Sequence, residues 1–191
     1  GSFDGFKKIK KNKNKVKKFI WIGRLSNEKG IEYLLKSLKD INKKRYKLKI
    51  IGDGPLRNKI YKIIKKNNLS KNVDLLGFKN NIYQYLNKSD LLINSSYFEG
   101  FPNVVIEALS CNVPVICSKS GGGIYEILKN GKYGDLFDLE KSNSLSLKIN
   151  KFLAKPLRLK KKAIKAHHSL LRFDKIKSAK NYKEALDSLK F

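Results

Sequence analysis

Short apolar runs alternate with amphipathic stretches along this chain from residue 17 to residue 141. Residues 18–22 (Lys-Phe-Ile-Trp-Ile) form an apolar run ending at Gly23, which suits a strand buried on both faces of a parallel sheet. Residues 31–41 then place Ile31, Leu34, Leu35, Leu38 and Ile41 at helical spacing, so they predict a helix with one apolar stripe. The same alternation recurs down the chain. Residues 46–51 predict a second strand, stopped by Gly52-Asp-Gly-Pro55, and residues 56–67 a second helix led by Pro55 at its first turn. Residues 73–76 and 90–93 read as strands three and four, separated by a short helix over 80–87 with Ile82, Tyr85 and Leu86 inward. A helix over 103–109 leads to strand five at 114–117. A helix over 124–128 leads to a sixth strand within 131–137.

Strands and helices alternating at this interval predict an α/β domain: a Rossmann-like parallel sheet with helices on both faces, joined by right-handed crossovers. Ligands of such sheets sit beyond the carboxyl ends of the strands, near the point where the strand order reverses. That edge carries the loops 23–30, 52–55, 77–80, 94–102 and 119–123. Residues 142–191 predict a helical segment of the same domain, broken at Pro156. Residues 1–16, rich in Lys and Gly and without a period, predict a linker or tether.

Composition narrows the function classes. A chain of 191 residues with 41% hydrophobic content can bury one substantial core, and no apolar run approaches the roughly 20 residues of a membrane-spanning helix. The Gly-Ser opening and the absence of Met predict a segment of a longer protein. A net charge of +27 raises nucleic acid as a partner. Lys far outnumbers Arg, however, and Lys, Asn and Ile are abundant throughout, with no basic stripe interleaved with aromatics. This points to codon bias, with no nucleic-acid partner and at most weak attraction to an anionic membrane surface, where each nearby Lys contributes about 1 kcal/mol. Cys111 and Cys117 lack the further ligands of a zinc site and predict two buried free thiols. His167 and His168 have no partner at metal-ligand spacing and predict exposed side chains.

Residues 94–111 concentrate the candidate chemistry. The run 90–93 supplies a strand, Gly100 permits close backbone approach, and Pro102 is tolerated at the mouth of a helix that begins at Asn103. Free N–H groups in the first turn of that helix, with the positive end of its dipole behind them, make an anion site. Glu99 in the loop and Glu107 two turns into the helix can accept hydroxyl groups on either side of such an anion, which is the chemistry of a nucleotide sugar. Glu107 stands among Val104, Val105, Ile106, Ala108 and Leu109, so it predicts considerable burial and a paired or hydrogen-bonded carboxylate.

Glu99-x7-Glu107 within Phe-Glu-Gly-Phe-Pro-Asn-Val-Val-Ile-Glu-Ala resembles the E-x7-E motif of family 4 retaining glycosyltransferases of the GT-B fold. Gly23-Arg-Leu-Ser-Asn-Glu-Lys-Gly30, Gly52-Asp-Gly-Pro-Leu-Arg57, Val73-x-Leu-Leu-Gly-Phe78 and Gly122-Gly-Ile-Tyr-Glu126 stand in the order of that family's carboxy-terminal, donor-binding domain, with Tyr125 where the family commonly shows Pro.

The resemblance implies one half of a GT-B fold, binding a UDP or GDP sugar with no metal and no other cofactor. Arg24 and Lys29 would grip the diphosphate, with Gly23 letting the backbone come close. Glu107 would take the ribose diol, Glu99 a hydroxyl of the transferred sugar, and Leu76, Gly77 and Phe78 the base through backbone groups. Backbone N–H groups of Phe101, Asn103 and Val104 would meet the sugar and phosphates. Gly52-Asp-Gly54 reads equally as a strand-ending turn, and Gly121-Gly-Gly123 as a tight turn or a nest for phosphate oxygens. The acceptor site and the catalytic His would belong to an amino-terminal domain, so the segment alone would bind donor and scarcely turn over. The implied location is cytoplasmic, or peripheral at the inner face of a membrane. Two other classes remain open: a nucleotide-sugar-binding module without transferase activity, and a basic Rossmann-like interaction domain at a membrane or nucleic acid.

Overall fold

The computed structural model describes residues 15–170. Most of the predicted amino-terminal tether and the helical expectation beyond residue 170 therefore lie outside the described residues. Six strands form one sheet: β1 (Lys17–Ile22), β2 (Tyr46–Ile51), β3 (Val73–Leu75), β4 (Leu91–Asn94), β5 (Val115–Ser118) and β6 (Asp135–Phe137). Every pairing is parallel and the spatial order is β3-β2-β1-β4-β5-β6, so the order reverses between β1 and β4. The helices are α1 (Ile31–Ser37), α2 (Arg57–Lys66), α3 (Tyr83–Leu86), α4 (Asn103–Ser110), α5 (Ile124–Leu128), α6 (Ser144–Ala154) and α7 (Pro156–Ser169).

The period of two along β1 builds two cores from one strand. Phe19 and Trp21 enter the core formed with α1, α2 and α6, while Ile20 enters the opposite core formed with α3, α4, α5 and part of α7. Phe19 stacks on Tyr46 of β2 and meets Phe152 of α6 edge-on, so the carboxy-terminal helices pack onto the sheet. Among the described residues no helix is long and apolar enough to cross a membrane.

Several elements depart from the sequence pattern where local bonds compete with it. The helix predicted over 31–41 ends at Ser37, whose hydroxyl donates back to the Tyr33 carbonyl, and a 3₁₀ turn over Leu38–Asp40 carries the apolar stripe to Ile41. Pro55 stands in the turn before α2 and Leu56 is its N-cap residue: the Leu56 carbonyl accepts the Ile60 N–H at 2.8 Å while its own N–H, which the helix does not use, donates to the Leu25 carbonyl at 2.9 Å. The short helix predicted over 80–87 contracts to α3, where the Asn81 side chain accepts the Tyr83 N–H. Its inward residues are as predicted, Leu86 buried and Ile82 and Tyr85 packed against the core. Cys117 is buried, and burial pushes its thiol pKa up, but Cys111 at the end of α4 is only half-buried, which corrects the expectation of two buried thiols. His167 and His168 are exposed.

Asp135, buried at the start of β6, accepts hydrogen bonds from Arg158 Nη1 at 3.0 Å and from Lys162 Nζ at 2.9 Å, and so fastens α7 to the sheet. Burial works to raise its pKa, yet the bonds from Arg158 and Lys162 overcome burial and hold the carboxyl at about 2, below its ordinary 3.8. At the opposite edge, the loops leaving β1 and β4 press together. The Trp21 indole N–H donates to Ser95 Oγ at 3.1 Å, and Ser95 Oγ donates to the Lys29 carbonyl at 3.2 Å. Gly30 sits at φ 61° with the Ser95 carbonyl oxygen 2.0 Å from where a Cβ would stand, so only glycine fits.

Two stability predictions follow from these contacts. Asp135→Asn should lower stability at pH 7 by about 2 kcal/mol in urea titrations. Because the folded pKa is depressed, that contribution is fully present above the ordinary 3.8 and disappears as pH falls toward about 2, so the two chains should converge over that window. Gly30→Ala should cost more than about 2 kcal/mol through its left-handed backbone and the Ser95 clash. Gly100→Ala, with nothing within 4 Å, should change stability by less than about 0.5 kcal/mol.

Candidate active site

At the switch point the chain brings together two side chains that lie seventy residues apart. Lys29 Nζ, at the end of a 3₁₀ turn over Asn27–Lys29, donates to Glu99 Oε2 at 2.9 Å. Glu99 Oε1 accepts Ser96 Oγ at 2.6 Å and Asn94 Nδ2 at 3.3 Å. The Glu99 side chain is 10% exposed and that of Lys29 27%. A carboxylate so buried needs a cationic partner, because desolvation without one costs several kcal/mol. Lys29 meets that need.

The loop carrying Glu99 is held from three sides. Tyr97 N–H donates to the Glu28 carbonyl at 2.8 Å, Ser118 Oγ at the end of β5 donates to the Ser96 carbonyl at 2.5 Å, and Gly123 N–H donates to the Gly100 carbonyl at 2.7 Å. Gly122 lies at φ 56° against the Glu99 carbonyl, 2.1 Å from where a Cβ would stand, so a side chain there would push the Glu99 loop away. The glycine run after β5 thus serves close packing of two loops. The Gly52-Asp-Gly54 turn likewise braces the first loop: Gly23 N–H donates to the Ile51 carbonyl, Leu25 N–H to that of Asp53, and Leu56 N–H to that of Leu25.

Helix α4 opens at Pro102 with no side-chain cap, and among the described residues the N–H groups of Asn103 and Val104 carry no hydrogen bond. The eight-residue helix therefore presents unpaired donors at its positive end beside the Glu99 loop. Glu107, one face of that helix, is half-buried; burial raises its pKa above the ordinary 4.5. The expectation of a paired Glu107 is not met, since its carboxylate has no hydrogen-bond or ionic partner among the described residues. A half-buried carboxylate without a partner has accepting capacity for a ligand.

The remaining predicted residues share this edge without joining the pair. Gly23 ends β1, and Arg24 is exposed, its guanidinium free of hydrogen bonds and ion pairs among the described residues. Phe78 is 71% exposed on the loop after β3, which rules out a packed core aromatic, and Phe101 is 44% exposed with its ring against Gly123. Motif reading passed over Trp21, Asn94, Ser95, Ser96 and Ser118, which set the Glu99 carboxylate and its loop. Their signal is the polar run Asn94-Ser-Ser directly continuing an apolar strand, all three buried. Two buried atoms at this edge, Asn94 Oδ1 and Ser120 Oγ, have no hydrogen-bond partner among the described residues. No group of three or more His, Cys, Asp or Glu side chains among those residues is placed to hold a metal ion. Cations, open helix N–H groups and two carboxylates on one edge can bind an anion flanked by hydroxyl groups.

The chain is similar to known proteins over most of its described length. Residues 3–169 match the family described as glycosyl transferases group 1. An uncharacterized glycosyltransferase of Methanocaldococcus jannaschii is 47% identical over 112 residues, 58% of this chain and 28% of its own length. The N-acetylgalactosamine-N,N'-diacetylbacillosaminyl-diphospho-undecaprenol 4-alpha-N-acetylgalactosaminyltransferase of Campylobacter jejuni is 34% identical over 167 residues, 87% of this chain and 46% of its own length. The crystal structure of Anabaena HepE in complex with UDP-glucose superposes with a TM-score of 0.82 at 26% identity, covering 91% of this chain and 49% of that one. The chain thus spans less than half the length of these relatives. It belongs to the glycosyl transferases group 1 family, and its sheet is one α/β half of a GT-B fold.

Proposed function

We propose that this chain is the carboxy-terminal, donor-binding half of a family 4 retaining glycosyltransferase that takes a sugar from a nucleoside-diphosphate sugar. The observation that carries this reading is the joining of the β1 and β4 loops at the switch point, where Lys29 meets Glu99 beside the uncapped start of α4. Arg24, Lys29 and the N–H groups of Asn103 and Val104 bind the diphosphate, with the Gly23 backbone close beside it. Glu107 accepts the ribose diol, backbone groups around Phe78 receive the base, and Glu99 with the Phe101 backbone receives the transferred sugar. Uridine is the favoured base, because the HepE neighbour was solved with UDP and with UDP-glucose.

Bond breaking places negative charge on the departing diphosphate. On this reading Arg24, Lys29 and the dipole of α4 stabilise that charge electrostatically, and the reaction is expected to proceed without a metal ion. On this reading the acceptor site and the catalytic His belong to an amino-terminal domain. A glycan or lipid-linked glycan is the acceptor class, in keeping with two Campylobacter relatives named for diphospho-undecaprenol-linked substrates. Work on such acceptors places the protein in the cytoplasm or at the inner membrane face.

Calorimetric titration of the chain with UDP, GDP, UDP-glucose and UDP-N-acetylgalactosamine tests the reading. UDP should bind more tightly than GDP. Glu107→Gln should weaken UDP and the sugar donor alike by about tenfold, the effect of one charge-assisted hydrogen bond. Absence of nucleotide binding by the unaltered chain, or no effect of Glu107→Gln on either ligand, would refute it.

A further inference from the structure

We infer that the Lys29–Glu99 pair discriminates between a sugar-bearing donor and the spent nucleoside diphosphate, and so helps to expel the product. This rests on the donor reading above. The two partners are unequally held. Glu99 is fixed by Ser96 and Asn94 on Oε1, in a loop tied to β5 through Ser118 and to the glycine turn through Gly100. Lys29 is a flexible stem with more than a quarter of its side chain in solvent, so it is the partner that can move.

An arriving diphosphate competes with Glu99 for the Lys29 ammonium. If the ammonium turns toward phosphate, Glu99 Oε2 loses its donor while a second anion enters nearby. The carboxylate, nine-tenths buried, keeps only the neutral donors Ser96 and Asn94, which is costly in a poorly hydrated site. A sugar-bearing donor relieves this, because a sugar hydroxyl can donate to Oε2 in place of the lysine. A free nucleoside diphosphate carries no such hydroxyl. Once the sugar has left, Glu99 Oε2 is again without a donor and draws Lys29 back from the phosphate. The same two residues thereby favour donor over product, and two contacts that motif reading treats as independent become one exchange.

The test is the ratio of the UDP dissociation constant to that of a sugar donor, measured by calorimetry on the full chain. The donor probe is whichever of UDP-glucose and UDP-N-acetylgalactosamine binds the unaltered chain more tightly. Glu99→Gln removes the competing charge: UDP should tighten by about threefold, the donor should weaken by a similar factor, and the ratio should fall by about tenfold. Lys29→Met removes the pair from the other side while keeping an unbranched stem of similar length. It should weaken both ligands, UDP the more, because only the donor can satisfy the uncompensated Glu99, so the ratio should rise. Melting temperatures establish that each variant is folded. A purely structural role for Glu99 would weaken both ligands equally, and a plain phosphate-binding Lys29 would leave the ratio unchanged; either result overturns the inference. An unaltered chain that binds no nucleotide refutes the donor reading and this inference with it. Normal binding with ratios unmoved by the variants refutes this inference alone.

Discussion

Placing β1 beside β4 is the constraint on which the rest of this structure depends. Both strands are parallel and buried on both faces, so their outgoing loops emerge at the same edge with no strand between them. The loops must then satisfy each other's polar groups, and they do so through Trp21, Ser95 and the Lys29 carbonyl, with Gly30 admitting the contact. A basic loop and an acidic loop meeting at such a point produce an ion pair in a sheltered place. That pair is the chemical centre of the candidate site.

Charge in this chain is unevenly valued. Forty-three basic residues face sixteen acidic ones, so there are too few carboxylates to pair with most of the basic side chains. The buried carboxylates are the exception. Asp135 and Glu99 each hold cations, one at the amino end of β6 and the other beyond the carboxyl end of β4. The first pair is fully engaged and structural, fastening α7. The second joins one lysine and one carboxylate from mutually braced loops, with unpaired helix donors and two unsatisfied buried polar atoms along the same edge. Similar chemistry therefore supports stability at one end of the sheet and, under the proposed function, recognition at the other.

Much of the architecture was legible because each signal was local. The apolar stripe over residues 31–41, the break at Pro156 and the stop at Gly23 need only near neighbours to be read. Misreadings arose where burial and pairing depend on distant parts of the chain. Cys111 was read as a buried thiol beside a buried strand, but it is the cap residue at the end of α4 and is only half-buried. Glu107 was read as paired because burial demands a partner, and the protein leaves it without one among the described residues, as a group awaiting a ligand would be.

By itself the sequence determined the element types, the parallel α/β class and the edge on which the motifs fall, since hydrophobic period and glycine placement act over a few residues. It also put Arg24, Lys29, Glu99 and Glu107 among the charged groups available there. Only the tertiary structure decided that Lys29 is bound to Glu99, that Ser96 and Asn94 fix the carboxylate, and that Glu107 is left open. Those outcomes depend on distances between residues far apart in the chain, which strand order and loop packing set and which no local pattern encodes.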